Sequence, residues 1–305
     1  MYIGIDFLVS PGLEPFVVEV NIGLPGGAEE YQRTHLVFLQ KPSDVFSRIE
    51  EISRRVYGRP FKDYLDSLPF IKSLKPFKIW MDGQGPFPPE SHPGLRLEDK
   101  WVQHQILNPL VAMPETTVFD SRNLDKAEIF LRQKGRLVLK RRLGRGGRNF
   151  RVIDSPLALR DASSEIHPSI LQEHIDSKIQ GYVFSVRSVA FGGEHVCLYA
   201  NLSHRANSNH GILAHVVEGD RFGLADQEFR TEFFKQKSWE AKIWFGKAEP
   251  AYLYHNLHED EVARTALILP SHLLKTIQAL SIKIERFYDN LDWSSLPPAC
   301  FEESA

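Results

Sequence analysis

Two carboxylates and an amide sit close together near the start of the chain, in the run Tyr2-Ile-Gly-Ile-Asp6-Phe-Leu-Val-Ser-Pro-Gly-Leu-Glu-Pro-Phe-Val-Val-Glu19-Val-Asn21. The first arm alternates Ile3, Ile5 and Phe7 with Gly4, Asp6 and Leu8. The second alternates Phe16, Val18 and Val20 with Val17, Glu19 and Asn21. Side chains on a strand repeat every two residues, so Glu19 and Asn21 share a face. A turn at Ser10-Pro11-Gly12-Leu13 sets Asp6 across from Glu19. Like charges opposite one another on paired strands repel; a hard, oxygen-seeking cation such as Mg²⁺ between them reverses that penalty. The plain alternative is an exposed hairpin whose acids face water.

A second chemistry-bearing stretch lies far downstream. A strand Arg136-Leu-Val-Leu-Lys140 leads into Leu143-Gly-Arg-Gly-Gly-Arg-Asn149 and a second strand Phe150-Arg-Val-Ile153. Gly144, Gly146 and Gly147 carry no Cβ, so such a loop can present backbone N–H groups to phosphate oxygens, with Lys140 adding a point charge. It is not a Walker loop, because no Gly-Lys-Ser/Thr follows, and it lacks the dinucleotide-binding spacing. The basic density of Lys140, Arg141, Arg142, Arg145, Arg148 and Arg151 also suits a nucleic-acid patch, but the net charge is -2 and no aromatic platform is interleaved. A structural hairpin with a glycine turn is the remaining alternative.

These residues need elements to hold them. Asp44 to Tyr57 has amphipathic helical spacing through Val45, Phe46, Ile49, Ile52 and Val56. Residues 58–96 are proline-rich and irregular, with a short strand at Phe77-Lys-Ile-Trp80 and a loop from Asp82 to Gly94. Leu97 to Leu107 is helical, and Ile170-Leu-Gln-Glu-His-Ile175 is a strand. Tyr182–Ala190 and Glu194–Ala200 form a hairpin about Gly192-Gly193. Ser271 caps a long helix after Pro270, with Leu273, Leu274, Ile277, Leu280, Ile284, Phe287, Tyr288 and Leu291 at helical spacing. The 305 residues, 42% hydrophobic, suffice for one large domain or two modest ones of α+β or α/β type. Cys197 and Cys300 make neither a disulfide framework nor a zinc site, and His195, His204, His210 and His215 lack tight ligand spacing and suit solvated loops. No run has the length of a membrane span and no signal-peptide layout opens the chain, so a soluble cytoplasmic protein is expected, with no nucleic-acid or membrane partner.

Taken in cyclic order, these pieces resemble the ATP-grasp superfamily, whose members include D-alanine–D-alanine ligase, glutathione synthetase and the ribosomal-protein glutamate ligases. An Asp-Lys pair opens a helix in that family, as Asp99-Lys100 does here. About forty residues on comes a strand with a second lysine and a glycine loop, like Val138-Leu-Lys140 through Gly147. A hinge gripping adenine resembles Leu171-Gln172-Glu173-His174-Ile175, and an arginine-bearing strand resembles Phe184-Ser-Val-Arg187. An arginine-x-asparagine element resembles Arg205-Ala-Asn207. The family ends on a hairpin with Asp, twelve residues, then Glu-x-Asn, which is Asp6 to Glu19-Val-Asn21, here at the front of the chain. The order is therefore circularly permuted, as in eukaryotic glutathione synthetase and glutathionylspermidine synthetase, and the helix from Ser271 to Trp293 resembles the one that normally precedes the metal hairpin.

The resemblance implies an α+β ATP-grasp fold, with two subdomains sandwiching ATP. Residues 1–27 would be the metal hairpin, 28–96 a reduced substrate-side region, 97–171 a nucleotide lid, and 172–305 the second subdomain. Asp6, Glu19 and Asn21 would hold Mg²⁺, as two ions in the family's manner. Lys100, Lys140, Gly144, Arg145, Gly146, Gly147, Gln172, Glu173, His174, Ile175 and Lys178 would bind ATP; Arg187, Arg205 and Asn207 would act on the reacting groups. The implied reaction joins a small-molecule or peptide carboxylate to an amine through an acyl phosphate, in a chain that can form a homodimer. A small-molecule kinase and a non-catalytic nucleotide-binding module are the alternatives. Two departures stand out: Arg141 replaces a frequent proline, and Gly4 stands where D-alanine-type ligases carry arginine, so that Arg187 or Arg205 would have to substitute.

Overall fold

A computed structural model of the chain describes residues 1–22, 27–68, 96–97, 99–119, 124–143, 150–163, 168–204, 211–225, 230–235, 259–292 and 295–296. It is a mixed α+β structure built on two sheets. The larger contains β1 (Ile3–Val9), β2 (Pro15–Ile22), β7 (Lys178–Ile179), β8 (Tyr182–Phe191), β9 (Glu194–Ser203), β10 (Ile212–Gly219), β11 (Gly223–Leu224), β12 (Thr231–Lys235) and β13 (Glu259–Pro270). Its order is β11-β13-β10-β9-β8-β1-β2, with β12 added on β13 and β7 on β8. β10 and β13 run parallel; the other pairs are antiparallel. The smaller sheet holds β3 (Thr116–Phe119), β4 (Leu137–Arg141), β5 (Arg151–Ile153) and β6 (Ser169–Glu173) in the order β3-β6-β4-β5.

Alternation decides which face each residue serves. Ile3, Ile5 and Phe7 of β1 join a core with Leu273, Ile277, Ile284 and Tyr288, which lie on the long helix closing the other end of the chain (Ser271–Asp289). Tyr2 points the other way, into a cluster with Val45, Ile49, Ile52, Phe61, Tyr64, Val189 and Phe191. That second face is covered by α1 (Ala28–Leu39), α2 (Val45–Tyr57) and α3 (Phe61–Ser67). In the smaller sheet, Leu137, Leu139 and Leu171 pack under α5 (Leu124–Lys134) and α6 (Pro156–Ala162), which leaves the alternate residues Val138, Lys140 and Gln172 on the opposite face. α4 (Lys100–Leu107) joins the two sheets, and the long helix is α7 (Ser271–Asp289).

The elements expected at 44–57, 136–140, 150–153, 170–175 and 182–200 are present to within a few residues. In the hairpin of β8 and β9 both turn glycines have positive φ (58° and 79°), the backbone of a two-residue primed turn. Three expectations change. Residues 28–68 are mostly helical, including Phe61–Ser67 in the stretch expected to be irregular. α4 begins at Lys100 rather than at Leu97. Ser271 is the first helical residue of α7, with Pro270 at the cap position and no side-chain cap bond. The strand expected at Phe77–Trp80 and the loop expected at Asp82–Gly94 lie outside the described residues. The Met1 amine contacts Glu285 and Asp289 near the end of α7, so the helix expected to precede the hairpin ends where β1 begins. Among the described residues no helix is long and apolar enough to cross a membrane.

Candidate functional site

The hairpin reaches its register by a route that alternation alone does not predict. Ser10 donates to Glu14 O and Leu13 to Ser10 O, both at 2.9 Å, with Leu13 at φ 61°, which closes a three-residue loop. Pairing then runs Val9↔Pro15, Leu8↔Phe16 and Phe7↔Val17 before a bulge between Asp6 and Phe7 skips Val18, so that Asp6 faces Glu19 and Gly4 faces Asn21. Without the extra residue Asp6 would face a valine. The expected alternation of the second arm is thereby broken, and Val17, Val20 and Ile22 are the buried residues. β2 is a sheet edge, and the side chain of Gln103 on α4 closes it: its Oε1 accepts from Val20 N at 3.0 Å and its Nε2 donates to Val20 O at 2.7 Å.

β1 lies between β2 and β8, so Asp6 has Glu19 on one side and Arg187 on the other. Arg187 in turn faces Tyr199, and Tyr199 faces His215, giving one row across five strands. Arg187 donates through Nε to Asp6 Oδ1 at 2.5 Å and through Nη2 to Oδ2 at 2.7 Å, while Asn21 Nδ2 reaches Oδ2 at 3.4 Å. Lys100 Nζ lies 3.1 Å from Glu19 Oε1. Across from them Lys140 donates to Gln172 Oε1 at 2.8 Å, and Gln172 Nε2 donates to Thr116 Oγ1 at 3.1 Å.

The protonation of these groups records how close they are. Burial lowers Lys140 to about 8, and the like charge of Lys100 pushes the same way against the pull of Glu19 and Asp6. Burial alone would raise Glu19, but the positive charges of Lys100, Lys140 and Arg187 hold it below its ordinary value. Burial also works against the Arg187 charge, and the Asp6 carboxylate outweighs it, so Arg187 holds its proton more firmly than usual. Groups from both ends of the chain thus act on one another within a single partly enclosed cluster.

Asp99 and Arg142 brace that cluster from below. Arg142 Nε lies 2.9 and 3.0 Å from the two Asp99 oxygens and Nη2 lies 2.9 Å from Oδ2, with both side chains essentially buried. Asp99 also caps α4, accepting from Trp101 N at 2.9 Å and Val102 N at 3.5 Å.

Six expected site residues lie outside the described residues: Gly144, Arg145, Gly146, Gly147, Arg205 and Asn207. Asp6, Glu19, Asn21, Lys100, Lys140, Gln172 and Arg187 come together. Glu173 and Lys178 have other partners, Glu173 Oε2 meeting Lys134 Nζ at 3.4 Å and Lys178 pairing with Asp176 at 2.7 Å on the surface, while the backbone N of His174 donates to Arg136 O at 3.2 Å. The Ile175 carbonyl accepts from Ser177 N at 2.9 Å. The histidines are not all solvated loop residues, since His195 and His215 stand on β9 and β10, where burial lowers each to about 4.

The sequence reading missed Gln103, Arg142's pairing, Tyr199 and Gly27. Only Arg142 left a signal, its place in the basic run that follows Lys140. Gly27 opens α1 at φ 121°, and a Cβ there would lie 2.8 Å from Val189 Cγ2 and within 3.8 Å of Tyr199 Cε1 and Arg187 Cγ. Gly27→Ala should therefore destabilise the chain by about 1–3 kcal/mol. Thermal unfolding measures this, and an unchanged midpoint would refute the constraint.

As donors for a metal, Asp6, Glu19 and Asn21 offer three oxygens on one face. Among the described residues no group of three or more His, Cys, Asp or Glu could hold an ion by itself. Two carboxylates and an amide oxygen are hard donors of the kind Mg²⁺ takes, which protein sites commonly hold with one or two carboxylates while substrate phosphates and water complete its octahedron.

No protein-family model matches the chain, and no curated protein matches it. A solved structure named "Putative gamma-glutamylcysteine synthetase", from Methylobacillus flagellatus KT, aligns with 68% of this chain and 76% of its own at 10% identity, with a TM-score of 0.38. At that distance the likeness carries no argument about fold or function.

Proposed function

We propose that the chain is an ATP-dependent carboxylate–amine ligase with a circularly permuted ATP-grasp fold, working through an acyl phosphate. The observation that supports this reading most directly is the meeting of Asp6 and Glu19, from the first hairpin, with Lys100, Lys140 and Arg187 from far along the chain. Opposed acids and several cations in one partly enclosed place suit a magnesium–polyphosphate complex, whose charges are likewise alternating.

In this reading residues 1–27, 28–96, 97–171 and 172–305 take the parts given above. Lys100 and Lys140 bind phosphate oxygens, and Gln172 holds the Lys140 amine in place. Arg187 stands next to Asp6 on the neighbouring strand, placed to offset negative charge on the reacting carboxylate. When bound by Asp6, Glu19 and Asn21, Mg²⁺ would supply charge neutralisation and in-line orientation of the γ-phosphoryl group. The substrate carboxylate attacks that phosphorus and ADP departs; the amine then attacks the acyl carbon and expels phosphate. Gly144 to Gly147, Arg205 and Asn207 keep the roles the resemblance gives them.

Two measurements test this. Phosphate release from ATP should need both a carboxylate and an amine, and hydroxylamine should trap a hydroxamate. Phosphate left on a hydroxyl acceptor would instead favour a kinase, and uptake of Mg-ATP without turnover would favour a binding module. A protonation signature is also expected. Lys140 at about 8 is only half charged near pH 8, and a phosphate ligand should restore its proton. Mg-ADP binding should therefore take up protons at pH 8–9, take up almost none from this group below pH 7, and weaken as pH rises above about 8. Calorimetry in buffers of different ionisation enthalpy reads the uptake, which Lys140→Met should abolish. Equal heats in all buffers at pH 8 would contradict it.

A further inference from the structure

We infer that Arg142 is a positioning residue that acts through Lys100, holding the helix that carries one phosphate-binding lysine against the strand that carries the other. This rests on the nucleotide-binding reading of the site.

The geometry is closed on every side. Arg142 follows β4 directly, two residues beyond Lys140, and its guanidinium makes a fork onto both oxygens of Asp99 at 2.9–3.0 Å with 1% and 0% of the two side chains exposed. Its backbone oxygen accepts from Lys100 N at 3.0 Å, and its own N donates to Pro168 O at 3.0 Å. The first amides of α4 are therefore all accounted for. Lys100 N goes to Arg142 O, Trp101 N and Val102 N go to the Asp99 carboxylate, and Gln103 N goes to Asp99 O. One residue thus contacts the helix start through both side chain and backbone. Its planar fork fixes direction as well as distance, which a lysine at the same place cannot do.

The consequence falls on the two lysines. Lys100 is the first residue of α4, 8% exposed and tied to Glu19, and Lys140 feels its charge. Lys100 and the half-buried Lys140 repel one another, so the surrounding structure has to hold their spacing, and a small displacement of α4 would alter the contact of Lys100 with any phosphate. Arg142 itself points at Asp99 rather than at the cluster, so its influence passes through the helix.

The test is a double-mutant cycle on Mg-ADP affinity and thermal midpoint with wild type, Arg142→Lys, Lys100→Met and the combination. Arg142→Lys should weaken Mg-ADP roughly tenfold in the wild-type background and only about twofold when Lys100 is already methionine. Its loss of thermal midpoint should be the same in both backgrounds. If Arg142→Lys does not fold, the paired exchange Asp99→Asn with Arg142→Gln, which removes both buried charges together, is read against Lys100→Met in the same way. Equal loss of affinity in both backgrounds, or no loss in either, overturns the inference. A wild-type chain that binds no Mg-ADP overturns the nucleotide reading and this inference with it; wild-type binding without coupling overturns this inference alone.

Discussion

Glu19→Gln should weaken Mg-ADP binding by about 100-fold, or about 2.8 kcal/mol, while metal-free ADP binds the variant at least as tightly as it binds the wild type. The two halves of this result have one cause. Glu19 sits opposite Asp6 and 3.1 Å from Lys100, so with Asn21 it supplies oxygen to a cation. It also neutralises positive charge that would otherwise attract phosphate directly. Glutamine keeps the shape and one carbonyl oxygen but removes the charge, so the metal-dependent share of affinity is lost while repulsion toward bare ADP falls. Glu19 is also the largest influence holding the proton on Lys140. The variant should therefore lose the Lys140 proton at lower pH than the wild type, and its proton uptake on binding ADP at pH 7.5 should grow. Calorimetric titrations with and without Mg²⁺ decide the matter. If the acids merely face water, the ratio of the two affinities will not change.

How much of this was legible in the sequence varies with the kind of signal. Alternation and a turn suggest that Asp6 and Glu19 face each other, and they do. A turn closed at Ser10–Leu13 pairs Asp6 with Val17; the loop is one residue longer and the bulge at Val18 adds one more, and only together do they bring Asp6 opposite Glu19. A bulge has no period of its own, so alternation cannot reveal it. The start of α4 at Asp99-Lys100 follows from the family resemblance, whereas the residue pattern alone starts that helix at Leu97; the Gly192-Gly193 hairpin was legible because positive φ has few residues to serve it. α1 was invisible because four of its apolar residues run consecutively at Leu36–Leu39 instead of recurring at helical spacing; Glu29, Arg33 and Thr34 are buried on it, and only tertiary packing against β9, β10 and β13 explains them. β13 was missed because most of Val262–Pro270 is buried, with β10 paired parallel beside it, so the strand lacks a regular alternation of apolar and polar residues. The resemblance assigns Arg187 to the reacting carboxylate, but nothing in the sequence hints at its fork onto Asp6. That pairing depends on β1 and β8 being neighbours, a contact between residues 181 positions apart.

The largest effect on stability should come from Asp99. Its carboxylate is wholly buried, caps α4 and balances Arg142, so Asp99→Ala leaves a buried guanidinium without its counter-charge and two helix amides without their acceptor. Breaking a buried pair by removing one partner costs about 3–5 kcal/mol, and losing the cap adds about 1 kcal/mol. For a chain of this size that lowers the thermal midpoint by on the order of 10 °C. Asp99→Asn should cost less than Asp99→Ala, because the amide oxygen can still accept from Trp101 N. Adding Arg142→Met to Asp99→Asn should recover part of the loss instead of deepening it, since the second change removes the stranded charge. Such non-additivity separates a pair that is buried together from two residues that happen to be near each other. Unfolding curves of the two single variants and the double variant give the answer: if the losses simply sum, the fork between Arg142 and Asp99 is not what holds α4 to β4.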